Sequence, residues 1–238
     1  MSIEYRLLTE FRSLFEGKRY RHRDSSLGDY VAMHFYEDLA VTSRSSKLLK
    51  VIQEKQCVLN VQNRARGINS RRGDGTFGEI VPGMEPITDP GYIVSRGPIA
   101  TVDIGLEVKI LAKAMIKQID RVIVDLRNQV SQFRMAGSHA VCIALIGINH
   151  AEEYTSYEGD RMFKTTGRNG YLHPCQESVS AERRLMAEAK PAFDEFLIMK
   201  YKATNAPPFP FSWVSYADLA MDYAAVLTRV GSKYQQRF

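Results

Sequence analysis

The chain of 238 residues contains 45% hydrophobic and 25% charged residues, values typical of a folded globular protein. This composition excludes a disordered or low-complexity protein, and the length suits one large domain. No apolar run approaches the ~18 residues that a membrane-spanning helix needs, and the first residues do not resemble a signal peptide. We therefore expect a cytoplasmic protein with no membrane partner.

Basic residues outnumber acidic ones, 32 against 27, which gives a net charge of +5 and favours a polyanionic partner. They are concentrated in two stretches that are predicted to be loops. Eight of these residues are predicted to contact nucleic-acid phosphates: Lys18, Arg19, Arg21 and Arg23 in the first stretch, and Arg64, Arg66, Arg71 and Arg72 in the second. The alternative is that both stretches are merely solvated surface.

Several common kinds of site are not indicated by the sequence. Cys57, Cys142 and Cys175 are far apart and form no Cys-x-x-Cys pair, so we expect reduced thiols rather than disulfides or a zinc site. The histidines form no His-x-His or His-Glu-x-x-His pair. Phosphate-binding loops, dinucleotide fingerprints and the Gly-x-Ser-x-Gly elbow of serine hydrolases are also missing from the sequence.

The N-terminal part is predicted to be mostly helical. Apolar residues recur at helical spacing over residues 3–15, and Gly17 is a plausible stop. A second helix is expected from Ser25 or Asp29. A third is expected over the apolar residues of 48–59.

The middle of the chain predicts strands and one long helix. Proline and glycine pairs separate short runs at 76–81, 92–95 and 99–110, a pattern typical of strands and turns. An amphipathic helix is predicted over 111–133, followed by a strand buried on both faces over 140–148. Strand, helix and strand form a βαβ crossover, so we expect a mixed sheet flanked by helices. Three glutamines of the long helix either line the active site or, as is usual, face solvent: Gln118, Gln129 and Gln132.

The C-terminal part is predicted to extend the same domain. A polar segment at 151–180 indicates an extended loop, and a helix is expected at 180–190 before Pro191. Residues 193–201 suit a strand or a helix, and 216–230 a last helix. The whole predicts one domain made of a helical part (1–63), a core (about 76–150) and an α/β extension (180–238).

The strand predicted over 99–110 has charges on one face. Even positions from 102 to 110 are apolar, whereas the odd positions include Asp103, Glu107 and Lys109. Burying unpaired charge on a central strand is costly, and catalysis is one reason to accept that cost. An ordinary exposed charge pair is the alternative.

A turn at Gly97-Pro98 would bring a second carboxylate to this face. Antiparallel pairing around that turn places Asp89 opposite residue 106 or 107, so its carboxylate approaches that of Glu107. Mg²⁺ binds through few carboxylates and keeps several waters, so the pair suits Mg²⁺, with Mn²⁺ as a substitute. Asp103 lies about 13 Å from Glu107 at ~3.3 Å per residue, and is less suitable.

Residues 89–148 resemble the PD-(D/E)xK nuclease superfamily in the order of four features. These are an Asp before a hairpin, Glu-x-Lys on the next strand, a long helix and a buried strand. The resemblance implies a restriction-endonuclease-like fold, in which a mixed central sheet is flanked by helices. It implies that Asp89, Glu107 and the carbonyl of Val108 bind the metal, and that Lys109 orients or deprotonates the attacking water. Glu37 is a candidate for an additional metal contact. The family's Pro-Asp order is reversed here, and two residues remain alternatives to Asp89: Asp103 and Glu79.

The resulting hypothesis is a Mg²⁺-dependent DNA phosphodiesterase, a restriction-like endonuclease. The resemblance implies a homodimer in which each subunit cuts one strand. The residues do not distinguish DNA from RNA as the substrate. Two alternatives are a nucleic-acid-binding protein of the same fold that does not cut, and an assembly or scaffold protein.

Overall fold

The computed structural model describes residues 4–21, 26–60 and 73–238. The helices of these residues are α1 (Arg6–Ser13), α2 (Ser26–Thr42), α3 (Ser46–Gln53), α4 (Met115–Ala136), α5 (Pro174–Arg184) and α6 (Tyr216–Arg237). The strands are β1 (Cys57–Asn60), β2 (Gly75–Glu79), β3 (Arg96–Gly97), β4 (Ile104–Leu111), β5 (Val141–Asn149), β6 (Thr155–Glu158), β7 (Arg161–Lys164), β8 (Glu195–Ala203) and β9 (Phe211–Trp213). The expected α/β class, a mixed sheet flanked by helices, is confirmed.

The main sheet has the strand order β3-β1-β2-β4-β5-β8-β9, and β6 and β7 form a separate antiparallel hairpin. The three central strands β4, β5 and β8 are parallel, with Leu106 opposite Ile143. On its other side β4 pairs with β2 in antiparallel orientation, with Gly75 opposite Leu106. The predicted βαβ crossover through the long helix is therefore confirmed.

The alternation of β4 divides the core between the two faces of the sheet. Ile104, Leu106 and Val108 point to the face that is covered by α1, α2 and α6. The opposite face is covered by α4, whose Phe133 fits over Gly105, and by α5. Helix α4 buries a continuous stripe on this side because its apolar residues recur every three or four positions. Consequently the odd-numbered residues of β4, including Glu107 and Lys109, lie beneath α4.

The third predicted helix is shorter than expected. Helix α3 ends at Gln53, and Lys55 adopts a positive φ of 56°, a left-handed conformation that stops a helix. Val58 and Leu59 then belong to β1. The predicted helix therefore included two residues, Val58 and Leu59, that belong to a strand.

The predicted hairpin around Gly97-Pro98 is wrong. Residues 92–95 form no strand, and Gly97 lies within β3, which pairs in parallel with β1. Gly83 and Gly91 have φ of 81°, and the prolines beside them lack a backbone donor, so this segment follows an irregular path instead of a long strand. The partner of β4 is β2, and Asp89 is not opposite Glu107.

The polar segment at 151–180 is more ordered than predicted, since it contains the β6–β7 hairpin and most of α5. Residues 195–203 are a strand, and the last helix begins at Tyr216 as expected. None of the helices in the described ranges combines the length and hydropathy that crossing a membrane requires.

Candidate active site

Buried Glu107 and half-buried Lys109 form an ion pair on β4. Glu107 is only 6% exposed, and the Lys109 Nζ donates a hydrogen bond to its Oε1 at 2.6 Å. Two residues apart on a strand, the side chains share one face, as the alternation predicts. The Glu107 carboxylate is therefore buried beneath α4, whereas the Lys109 side chain remains partly exposed.

Asp74 is the second carboxylate of this site, and the sequence interpretation missed it. It immediately precedes β2, and the backbone N–H of Val108 donates to its Oδ2 at 2.8 Å. The pairing of Gly75 with Leu106 places Asp74 beside the next residue of β4, which is Glu107. Asp74 and Glu107 thus occupy neighbouring positions on adjacent strands.

Glycines make room for this close approach. A Cβ on Gly28 of α2 would lie 2.3 Å from Oδ1 of Asp74, and a Cβ on Gly73 would lie 2.4 Å from the Phe133 ring. Gly105 has the same relation to Phe133 on β4. The Gly73-Asp74-Gly75 triplet was the signal available in the sequence, because glycine inside a strand marks a place where another group comes close.

The charged groups of the site alter one another's pKa. Burial, followed by the negative charge of Asp74, raises the pKa of Glu107 to about 7. Burial alone would lower the pKa of Lys109, but Glu107, Asp74 and Asp125 outweigh it and the pKa of Lys109 is raised. Lys109 is therefore held as an ammonium, while the two carboxylates repel each other.

Gln129 lies on the side of α4 that covers the site. It is 7% exposed, so this glutamine does not face solvent, as glutamines on a helix surface usually do. Phe133, one turn later, packs on Gly105, and Asp125, one turn earlier, influences Lys109. Gln129 lies between them on the same helical face, opposite the part of β4 that carries Glu107.

The oxygen atoms present fit a small hard cation. In a strand, the N–H and C=O of one residue point the same way, so Val108 directs its carbonyl toward the edge where its N–H meets Asp74. Two carboxylates and a carbonyl suit Mg²⁺, which binds through one or two carboxylates and keeps waters. Across residues 4–21, 26–60 and 73–238, no group of three or more His, Cys, Asp or Glu could hold a metal ion, so any ion here would depend on the pair.

The expected approach of Asp89 to Glu107 is wrong. Asp89 forms a two-pronged ion pair with Nε and Nη2 of Arg96 in β3. Strands β1 and β2 lie between β3 and β4, so Asp89 is at a different part of the sheet. Its charge is already neutralised by a neighbouring guanidinium.

The other acidic candidates do not reach Glu107. Asp103 lies at the opposite end of β4 and accepts hydrogen bonds from the Tyr234 hydroxyl at 2.9 Å, the Thr101 hydroxyl and the Cys57 thiol. Glu37 accepts from the backbone N–H groups of 93 and 94 and orders that segment. Glu79 is exposed at the far end of β2, opposite Cys57.

Only part of the predicted nucleic-acid contact lies within the described residues. Lys18, Arg19 and Arg21 are exposed, and the Arg19 guanidinium lies 3.7 Å from the centre of the Tyr157 ring in β6. The remaining predicted contacts lie outside the described residues: Arg23, Arg64, Arg66, Arg71 and Arg72. In sequence, the last two directly precede Gly73 and Asp74.

Comparison with protein-family models, with curated proteins and with solved structures finds no match to this chain.

Proposed function

We propose that the chain is a metal-dependent phosphodiesterase that hydrolyses DNA. The observation that carries the proposal is the convergence of Asp74, Glu107 and Lys109 on the adjacent strands β2 and β4. A mixed sheet with this trio and a long crossover helix is what a restriction-endonuclease-like fold would provide. Asp74 takes the role that the sequence had suggested for Asp89.

Asp74, Glu107 and the carbonyl of Val108 would hold Mg²⁺ or Mn²⁺. When bound, the ion would lower the pKa of a water and offset negative charge on the phosphate. The repulsion between the carboxylates favours a cation at this place, since burial leaves little water to screen them.

Lys109 acts as a hydrogen-bond donor in this proposal. Because Glu107 keeps it protonated, its ammonium orients the attacking water or binds a phosphate oxygen, and it does not accept the proton of that water. The contact with Glu107 at 2.6 Å fixes the position of the ammonium. The exposed residues near Arg19 would contact the DNA backbone. A homodimer that cuts both strands remains part of the proposal on the resemblance alone.

Cleavage of supercoiled DNA tests the proposal. The purified chain is incubated with Mg²⁺, Mn²⁺ or EDTA beside the variants Glu107→Ala and Lys109→Ala. Glu188→Ala and Lys190→Ala are the matched controls, because they alter another Glu-x-Lys triplet, in which the glutamate and the lysine are exposed.

We expect metal-dependent nicking that falls at least about a hundredfold in the first two variants and is unchanged in the controls. Equal rates in all four variants, or no cutting by the unaltered chain with either metal, would overturn the proposal. DNA binding without cutting would favour the non-catalytic alternative.

A further inference from the structure

A pocket lies beside the proposed active site, at the carboxyl ends of β4 and β5. It has a volume of about 290 Å³ and is enclosed by the start of α4, the β6–β7 hairpin and the loop that follows β7. We name it the lysine pocket after three of its lining residues: Lys113, Lys117 and Lys164.

The lysine pocket is positively charged. Its lining contains three lysines and one acidic residue, Glu158. The Nζ of Lys113 donates a hydrogen bond to the hydroxyl of Ser156, which fixes it at the wall. Glu177 already accepts the first N–H of α4, from Met115, so the lysines and not the helix end supply the positive charge. Such an excess of ammonium groups in a concave site attracts phosphate.

Aromatic rings border the same pocket. Phe163 is 45% exposed and Tyr171 is 61% exposed, and both line it. The Lys117 Nζ lies 5.8 Å from the centre of the Tyr171 ring, so a cation and an aromatic face are offered together. Exposed rings beside lysines are the surface that stacks bases while phosphates are neutralised.

Backbone hydrogen bonds hold the Tyr171 loop in shape. The N–H groups of Thr166 and Gly167 both donate to the carbonyl of Tyr171, at 3.1 and 2.9 Å, and the N–H of Tyr171 donates to Arg168. Gly170, with φ of 78°, lets Lys117 approach, since a Cβ there would lie 2.9 Å from its Nζ. The backbone that carries the ring therefore needs little further ordering on binding.

The location suits a strand that also reaches the active site. Lys113 follows Lys109 by four residues, so their Cα atoms are at most about 13 Å apart at ~3.3 Å per extended residue, and the chain leaves the strand after Leu111. About four nucleotides cover this distance at a rise of ~3.4 Å each. The volume lies just below the range of ~300 to 1,000 Å³ found for ligand pockets, so the pocket suits a group no larger than one base.

We propose that the lysine pocket binds an unpaired nucleotide of single-stranded DNA, with its base against Phe163 or Tyr171 and its phosphates at Lys113, Lys117 and Lys164. The identity of the polymer as DNA rests on the proposed function. The substrate then has a single-stranded segment next to the phosphodiester that is cut.

Affinity for a short, fluorescently labelled single-stranded DNA of mixed sequence tests this proposal. Anisotropy is measured in EDTA with the Glu107→Ala chain, so that no cutting interferes. The variants Phe163→Ala, Tyr171→Ala and Lys117→Ala are added to that chain. Tyr216→Ala and Lys50→Ala serve as controls, since both residues are exposed and lie outside the pocket.

We expect at least one aromatic variant to weaken binding by about fivefold to a hundredfold, as for the loss of one stacked base. Lys117→Ala should weaken binding and reduce the slope of log affinity against log salt by about 0.7, the value for one phosphate contact on a single strand. The control variants should bind the single-stranded DNA with an affinity within about twofold of that of the Glu107→Ala chain.

Unchanged affinity for the single strand in both aromatic variants would overturn the proposal, and so would an equal loss of binding to a duplex of the same sequence that is measured alongside it. This outcome is independent of cleavage. A chain that cuts DNA but binds equally well without either the Phe163 or the Tyr171 ring refutes the pocket alone, whereas pocket binding without any cutting refutes only the proposed catalysis.

Discussion

The backbone N–H of Val108 donates to the carboxylate of Asp74 at 2.8 Å, and this bond joins the start of β2 to the strand that carries Glu107. It fixes one carboxylate beside another that is almost fully buried. The raised pKa of Glu107 reflects both burial and the charge of Asp74. A fold that holds two acids this way gains stability from a bound cation, because the ion removes their repulsion.

The choice between Asp74 and Asp89 can be tested with two isosteric variants. Asp74→Asn should reduce metal-dependent cutting at least about a hundredfold, because it removes one of the charged oxygens that would hold the ion. Asp89→Asn breaks only the pair with Arg96 and should leave cutting within a fewfold of the unaltered chain. Initial rates on supercoiled DNA decide, and the reverse order would restore Asp89 as the metal ligand.

Stabilisation by Mg²⁺ should increase with pH. At pH 6 Glu107, with a pKa of about 7, is mostly protonated and must lose its proton before it can bind the ion. At pH 8 it is ionised, so the rise in melting temperature on adding Mg²⁺ should be larger there. Thermal unfolding with and without Mg²⁺ measures this, and Glu107→Gln should remove most of the rise at both pH values. A rise that is independent of pH would contradict the prediction.

The shared strand face of Glu107 and Lys109 was predicted correctly, whereas the acidic neighbour of Glu107 was not. Glu107 and Lys109 could be found because a strict two-residue alternation places them on one face of a strand, which is a local property. Asp74 depends on which strand pairs with β4, and pairing is a property of the whole chain. A strand is predicted at 76–81, but the turn residues Gly97-Pro98 predict a nearer antiparallel partner for β4.

The lysine pocket shows the same limit. Lys113 and Lys117 lie at the start of α4, whereas Phe163, Lys164 and Tyr171 follow some fifty residues later in a polar segment. Only the position of the β6–β7 hairpin brings them together. The polar residues and glycines of this segment indicated a loop, and a loop prediction does not say which helix or strand the segment packs against.

Tyr234 should support Asp103 structurally and not catalytically. Its hydroxyl donates to the buried carboxylate of Asp103, whose pKa burial raises. Tyr234→Phe should lower the free energy of unfolding by about 1.5 to 3 kcal/mol, the usual range for a hydrogen bond to a charged group. Denaturant unfolding measures the loss, with the exposed Tyr216→Phe as the control, and DNA cutting at low temperature should be unchanged. A loss of cutting without a loss of stability would return Asp103 to the site.

Gly105 should tolerate no side chain while Phe133 is present. A Cβ there would lie 2.3 Å from the Phe133 ring, so Gly105→Ala should destabilise the chain by about 1 to 3 kcal/mol through overpacking. Adding Phe133→Leu should make the double variant less destabilised than the sum of the two single changes. Urea unfolding of all four chains gives the coupling, and strict additivity would contradict the contact.

His34 should make the protein less stable in mild acid. It is 1% exposed in α2, and neither ring nitrogen has a hydrogen-bond partner among the described residues. Burial, opposed by Glu10 and reinforced by Arg6, lowers the pKa of His34 to about 4. The unfolded chain binds the proton near its ordinary pKa of about 6.5, so the free energy of unfolding from this group falls as pH falls from about 6.5 to about 4, by at most ~3 kcal/mol.

The His34→Leu variant isolates this contribution, because every other titrating group is common to both chains. The unaltered chain should lose stability relative to the variant between pH 7 and pH 4, measured by urea unfolding at each pH. His139→Leu, which changes an exposed histidine, should follow the unaltered chain instead. Parallel curves for the unaltered chain and His34→Leu would mean that His34 is protonated equally in the folded and unfolded states, and therefore that water reaches its ring.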